Sequence, residues 1–149
     1  MQETQERVAS ILNELIETCK DGQHGFKTAS EGITNSDLKN LFMAYSAERG
    51  QFINELQAEV IKLGEDPDKT GHIMGALHRA WIDIKSAVTS KDEHAILGEC
   101  ERGEDFAVEA YEKALQEELP LSVRDVVQRQ YNKIRMVHDK VRALRDVTS

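Results

Sequence analysis

Two segments of the chain repeat one chemical pattern. Glu48-Arg49-Gly50 and Glu101-Arg102-Gly103 each set an arginine between a carboxylate and a glycine, and an aromatic follows within about one helical turn, at Phe52 and Phe106. Leu38, Phe42, Tyr45, Phe52, Leu56, Val60 and Leu63 form a helical apolar stripe, and Arg49 falls where that stripe calls for an apolar residue. Two readings stand for it. The stem can lie on apolar surface while the head reaches water, or the guanidinium can be buried. A buried arginine keeps its proton and therefore needs a carboxylate. By helical spacing the nearest to Arg49 and Arg102 are Glu48, Glu55, Glu99 and Glu101.

Other candidate groups are fewer. Asp21-x-x-His24 has the spacing of a ligand pair, yet it lies about 200° around its helix from the apolar stripe, facing water or a neighbouring element. His78 borders a third stripe, as a packing histidine does. Cys19 and Cys100 sit inside helical patterns and read as buried free thiols, which suits a reducing cytoplasm. The chain has no glycine-rich phosphate loop, no Cys-x-x-Cys, no His-Glu-x-x-His and no Gly-x-Ser-x-Gly, so the chemistries those motifs carry are not expected.

The elements that must position these groups are helices. The first is expected over about Thr4–Ser30, with Val8, Leu12, Leu15, Cys19, Phe26 and Ala29 on its stripe. Thr34, with Asp37 three residues on and Ile33 stapled to Leu38, should start a second helix that reaches Leu63. Residues 64–71 form a loop around Pro67. A shorter third helix follows to Val88 through Met74, Leu77, Trp81 and Ile84. Ser90-x-x-Glu93 caps a fourth, running to Glu118. Leu119-Pro120 stops it, and Ser122-x-x-Asp125 caps a fifth with the stripe Val123, Val127, Gln130, Ile134, Val137, Val141 and Leu144.

At 149 residues the chain is expected to be one all-α domain. Its first residues carry no basic or long apolar segment, and no apolar run reaches a membrane-spanning length, so neither a secretory signal nor a span is expected. Residues 1–118 hold 12 Lys/Arg against 24 Asp/Glu, whereas residues 119–149 hold 7 against 3. Such an acidic body is a poor nucleic-acid binder, and the basic tail is expected to face its own body.

Asn13–Asp21, Glu48-Arg49, Leu77–Trp81, Cys100–Asp105 and His138–Arg142 together carry a resemblance. The chain resembles the ferritin-like superfamily and, more narrowly, a bacterial family known only as four-helix-bundle proteins of unknown function. That resemblance implies a ferritin-like four-helix bundle over about residues 4–118, with a fifth helix over about 122–146 added to it. It also implies a possible iron or manganese site, drawing on Glu48, Glu55, Glu101 and Glu104 with His24 or His78 as nitrogen ligand. Di-iron relatives use a Glu-x-x-His from each of two helices, and this chain has none. The expectation is therefore a protein without cofactor, in which arginine–carboxylate pairs replace metals as the neutralising charge. It would act without catalysis, through self-association or a protein partner. A metal or redox protein with a non-standard site is the alternative.

Overall fold

The computed structural model describes residues 2–67, 81 and 83–148. They form five helices, α1 (Gln2–Gly32), α2 (Ser36–Lys62), α3 (Ile84–Ser90), α4 (Glu93–Leu115) and α5 (Leu121–Val147), and no strand. No described helix is long and apolar enough to cross a membrane.

The helix starts differ from expectation by a residue or two, for local reasons. Asn35, not Thr34, caps α2, its side chain accepting from the amides of Asp37 and Leu38 at 2.9 and 3.1 Å. Asp92, not Ser90, caps α4 by accepting from the Ala95 amide at 3.2 Å. Ser90 instead closes α3 by donating to the Ala87 carbonyl at 2.8 Å. At the far end α4 stops at Leu115 rather than Glu118. Arg124 donates to the carbonyls of Leu115 and Glu117, and Arg7 to that of Glu118, so side-chain cations satisfy this terminus. Pro120, not Ser122, precedes the first turn of α5. Of the expected third helix, Met74, Leu77 and His78 lie outside the described residues.

Contacts across the helices fix their directions. Ser46 bonds to Gln23 and Asn13 to the Asp66 carbonyl, so α2 runs antiparallel to α1. Arg7–Glu117 and Cys19–Tyr111 set α4 antiparallel to α1, and Tyr111–Gln130 and His138–Asp105 set α5 antiparallel to α4. It follows that α2 and α4 run the same way. The end of α2 and the start of α4 therefore stand at opposite ends of the molecule.

The buried apolar residues form two clusters. One joins Leu12, Leu15 and Ile16 of α1 to Phe52 and Leu56 of α2, Ala107 and Ala114 of α4, and Val123, Val127 and Ile134 of α5. The other joins Phe26 and Ala29, Phe42, Trp81, Ile84, Ile96, Leu97, Val137 and Val141. Because α5 contributes to both clusters, it forms one wall of the core. Trp81 lies in a slot between α1 and α4, where both neighbours are glycine. A Cβ at Gly25 or at Gly103 would stand 2.3 Å from its ring atoms.

Candidate functional site

Between the two apolar clusters lies a polar layer. Arg49 projects from the inner stripe of α2 and is 1% exposed, while Glu104 projects from α4 and is fully buried. Arg49 Nη2 donates to Glu104 Oε2 in a short buried ion pair. The guanidinium stands 5.5 Å from the centroid of the Phe26 ring, and its Nη1 packs against α1 at Gly22, where a Cβ would come within 2.8 Å. Three bare positions thus shape this layer: Gly22 for the guanidinium, and Gly25 and Gly103 for the indole. Burial opposes the charge on Arg49, but the charge and hydrogen bond of Glu104 outweigh it and hold its pKa above the ordinary arginine value. The cation is permanent.

A neutral relay lies beside the pair. Tyr111 donates to Gln130 Oε1 at 2.7 Å and lies 3.1 Å from Cys19 Sγ. Gln130 Nε2 then reaches the Phe52 carbonyl and Glu55 Oε1 at 3.3 and 2.9 Å. Glu55 is also paired with Arg129 at 3.0 Å. Burial raises the Cys19 thiol to about 11 despite the nearby Arg49 charge and the Tyr111 hydrogen bond, and it pushes Cys100 and Tyr111 well up too. Neither thiol is a thiolate near neutral pH, so neither serves as a nucleophile there.

The remaining expected residues are dispersed. Arg102 is not interior: its side chain is 40% exposed and meets Glu99 at 3.1 Å and Asp83 at 3.8 Å. Phe106 is likewise at the surface. Glu101, although buried, pairs with Arg142 and Arg145 of α5. Glu48 lines a groove of about 630 Å³ between α2 and α5 with Tyr45, Lys133 and Lys140. His24 is exposed, and His78 is outside the described residues. Of the four carboxylates expected near the two arginines, none is the partner of Arg49. Glu104 is. Among the described residues no group of three or more His, Cys, Asp or Glu side chains converges as a cation cage would require.

Comparison with known families adds one match. Residues 7–117 match a family described as a domain of unknown function (DUF2383). The chain belongs to that family. No curated protein matches the chain. The polar layer draws Cys19, Arg49, Glu104 and Tyr111 from inside the DUF2383 match, but Gln130 from beyond it.

Sequence reasoning passed over Tyr111, Gln130 and the pair Asp105–His138. One signal was available for Gln130: it is the single amide on an otherwise apolar α5 stripe. A polar residue at such a position requires a buried partner.

Proposed function

We propose that this DUF2383 protein is a ferritin-like helical bundle of α1, α2, α4 and α5 that has exchanged a metal centre for a fixed internal ion pair. It acts in the cytoplasm as a non-enzymatic protein, through self-association. The observation that carries this reading is the Arg49–Glu104 pair, buried between two helices that run in the same direction.

The argument is electrostatic. A ferritin-like interior uses metal cations to neutralise converging carboxylates. Here a guanidinium that cannot lose its proton supports the same layer from within the chain. Glu104, the most deeply buried of the described candidate ligands, is paired with it. Glu55 and Glu101 are held by arginines of α5, and His24 is exposed. With thiols protonated and no convergent acid–base pair described in the layer, the geometry favours a structural role over a reaction. Iron or manganese bound at Glu104 would have to sit beside the Arg49 guanidinium, whose fixed positive charge repels it.

Elemental analysis of the chain, purified without a histidine tag and dialysed, tests the proposal. Well under one equivalent of iron or manganese is expected, with unfolding unchanged by a chelator. Stoichiometric metal that survives dialysis, and whose removal lowers the melting temperature, would overturn it in favour of the metal or redox reading.

A further inference from the structure

The outer face of α2 is unlike the rest of the surface. In a chain that is 31% charged, every exposed side chain of α2 from residue 40 to residue 61 is uncharged. Met43 and Ile61, at 54% and 62% exposed, stand near the two ends of this face. Between them the exposed positions fall at steps of three and four: Ala44, Ala47, Gln51, Asn54, Ala58 and Ile61. That is the spacing of a two-helix seam, and over this length it runs about 30 Å.

We infer that this face is where a second copy of the chain docks, with the two α2 helices antiparallel about a two-fold axis near residues 51–54. The inference rests on the self-association proposed above and names its surface.

Three features select a second copy as the occupant. An isologous contact requires a surface complementary to itself. Reversed on itself, the seam pairs Gln51 with the partner's Asn54, Ala47 with the partner's Ala58, and Ala44 with the partner's Ile61. Amide then meets amide, small meets small, and a small residue makes room for a large one. Charge also returns at the two ends, with Asp37 and Lys39 before the seam and Lys62 and Asp66 after it. Antiparallel docking brings Lys39 toward the partner's Asp66 in this register and Asp37 toward the end that carries Lys62, whereas parallel docking would set like against like. Finally, between residues 40 and 61 a phosphate-bearing or acidic partner would find no exposed cation on α2.

Sedimentation of the full chain, with cysteine pairing as a second readout, tests the inference. The wild-type chain should sediment at twice its 16.8 kDa mass. The double variant A47E/A58E places glutamates against each other in the seam. It should raise the dimer dissociation constant more than about a hundredfold, since facing like charges cost several kcal/mol. Its helix content by circular dichroism should stay unchanged, because both positions are exposed. M136E, on the outer face of α5, should leave the dimer intact. An A47C chain mixed with an A58C chain should form a disulfide-linked dimer under mild oxidation, and neither should do so alone. A wild-type dimer that survives A47E/A58E would overturn this surface and leave self-association standing. A47C cross-linking by itself would overturn the antiparallel seam. A monomeric wild-type chain would overturn both the surface and the self-association reading.

Discussion

Arg49 and Glu104 are almost completely removed from water, and their pairing leaves Arg49 Nε and Nη1 and Glu104 Oε1 without a hydrogen-bond partner among the described residues. Such a pair adds little net stability, because desolvation of two ions offsets most of their attraction. What it does is make each partner indispensable to the other. Arg49→Met should cost about 3–5 kcal/mol by stranding a buried carboxylate, and Glu104→Leu a similar amount by stranding a buried cation. The double variant should cost less than either single one, and can even stabilise, because an apolar pair of similar volume fits between the two clusters. Urea unfolding of the four proteins measures the cycle. Two single costs that simply add would show that the charges do not depend on each other. The sequence exposed half of this arrangement. Arg49 was legible because it broke an apolar stripe. Its partner was not, because the internal repeat pointed to Arg102 as the matching position on the fourth helix. The structural match is Glu104, two residues on, and two residues rotate a helical side chain by about 200°. Local similarity placed the segment correctly and its inward face wrongly.

At the scale of helices, α4 and α5 are joined by a second, half-buried polar contact. His138, 9% exposed, has Nε2 2.5 Å from Asp105 Oδ1 of α4 and Nδ1 3.1 Å from Asp139 Oδ1 on its own helix. Burial alone would lower its pKa, but hydrogen bonds from the imidazolium to Asp139 and Asp105 outweigh that and raise it. Arg135 lies 4.0 Å from Asp139, and Glu101 with Arg142 and Arg145 occupies the neighbouring stretch of the α4–α5 seam. Because the folded pKa is the higher one, this contribution is complete below the unfolded value of about 6.5 and is lost as pH rises through the folded value. The stability difference between wild type and His138→Gln should therefore be larger at pH 6 than at pH 9, measured by thermal unfolding. A difference that stays constant across that range would remove His138 from the account. The stripes of α1, α2 and α5 were readable, since each keeps a helical period over many turns and each period became a largely buried face. The caps were read one or two residues off. Thr34, Ser90 and Ser122 are good cap residues by type, but Asn35, one residue on, and Asp92, two residues on, took the amides instead. At Ser122 the proline two residues earlier set the start of α5.

For the molecule as a whole, the C-terminal helix decides whether there is a core at all. The sequence presented it as an addition to a four-helix body, because periodicity shows that a helix has an apolar face and not which faces meet. The DUF2383 match ends at residue 117, just short of it. Yet α5 reaches both apolar clusters, completes the Tyr111 relay through Gln130, and sets its cations on the acidic helices at Glu55, Glu112 and Glu101. The contrast between a basic tail and an acidic body is thus spent inside one chain. The exposed pairs at Glu55 and Glu112 contribute only about 0–1 kcal/mol each, so the apolar face must do most of the holding. Val123, Val127, Ile134, Val137 and Val141 are all 5% exposed or less. At about 1.5–3 kcal/mol for each buried side chain, their sum matches the whole stability of an ordinary domain, about 5–15 kcal/mol. A chain cut after Pro120 should accordingly lose cooperative unfolding, bind a hydrophobic dye and aggregate, as judged by circular dichroism, dye fluorescence and sedimentation. A chain cut after Asp146 loses only Val147, which is 82% exposed, and the two residues beyond it, and should behave as wild type. If the shorter chain instead kept native helix content and a sharp transition, α5 would be an appendage, and the core would have to close on α1, α2 and α4 without it.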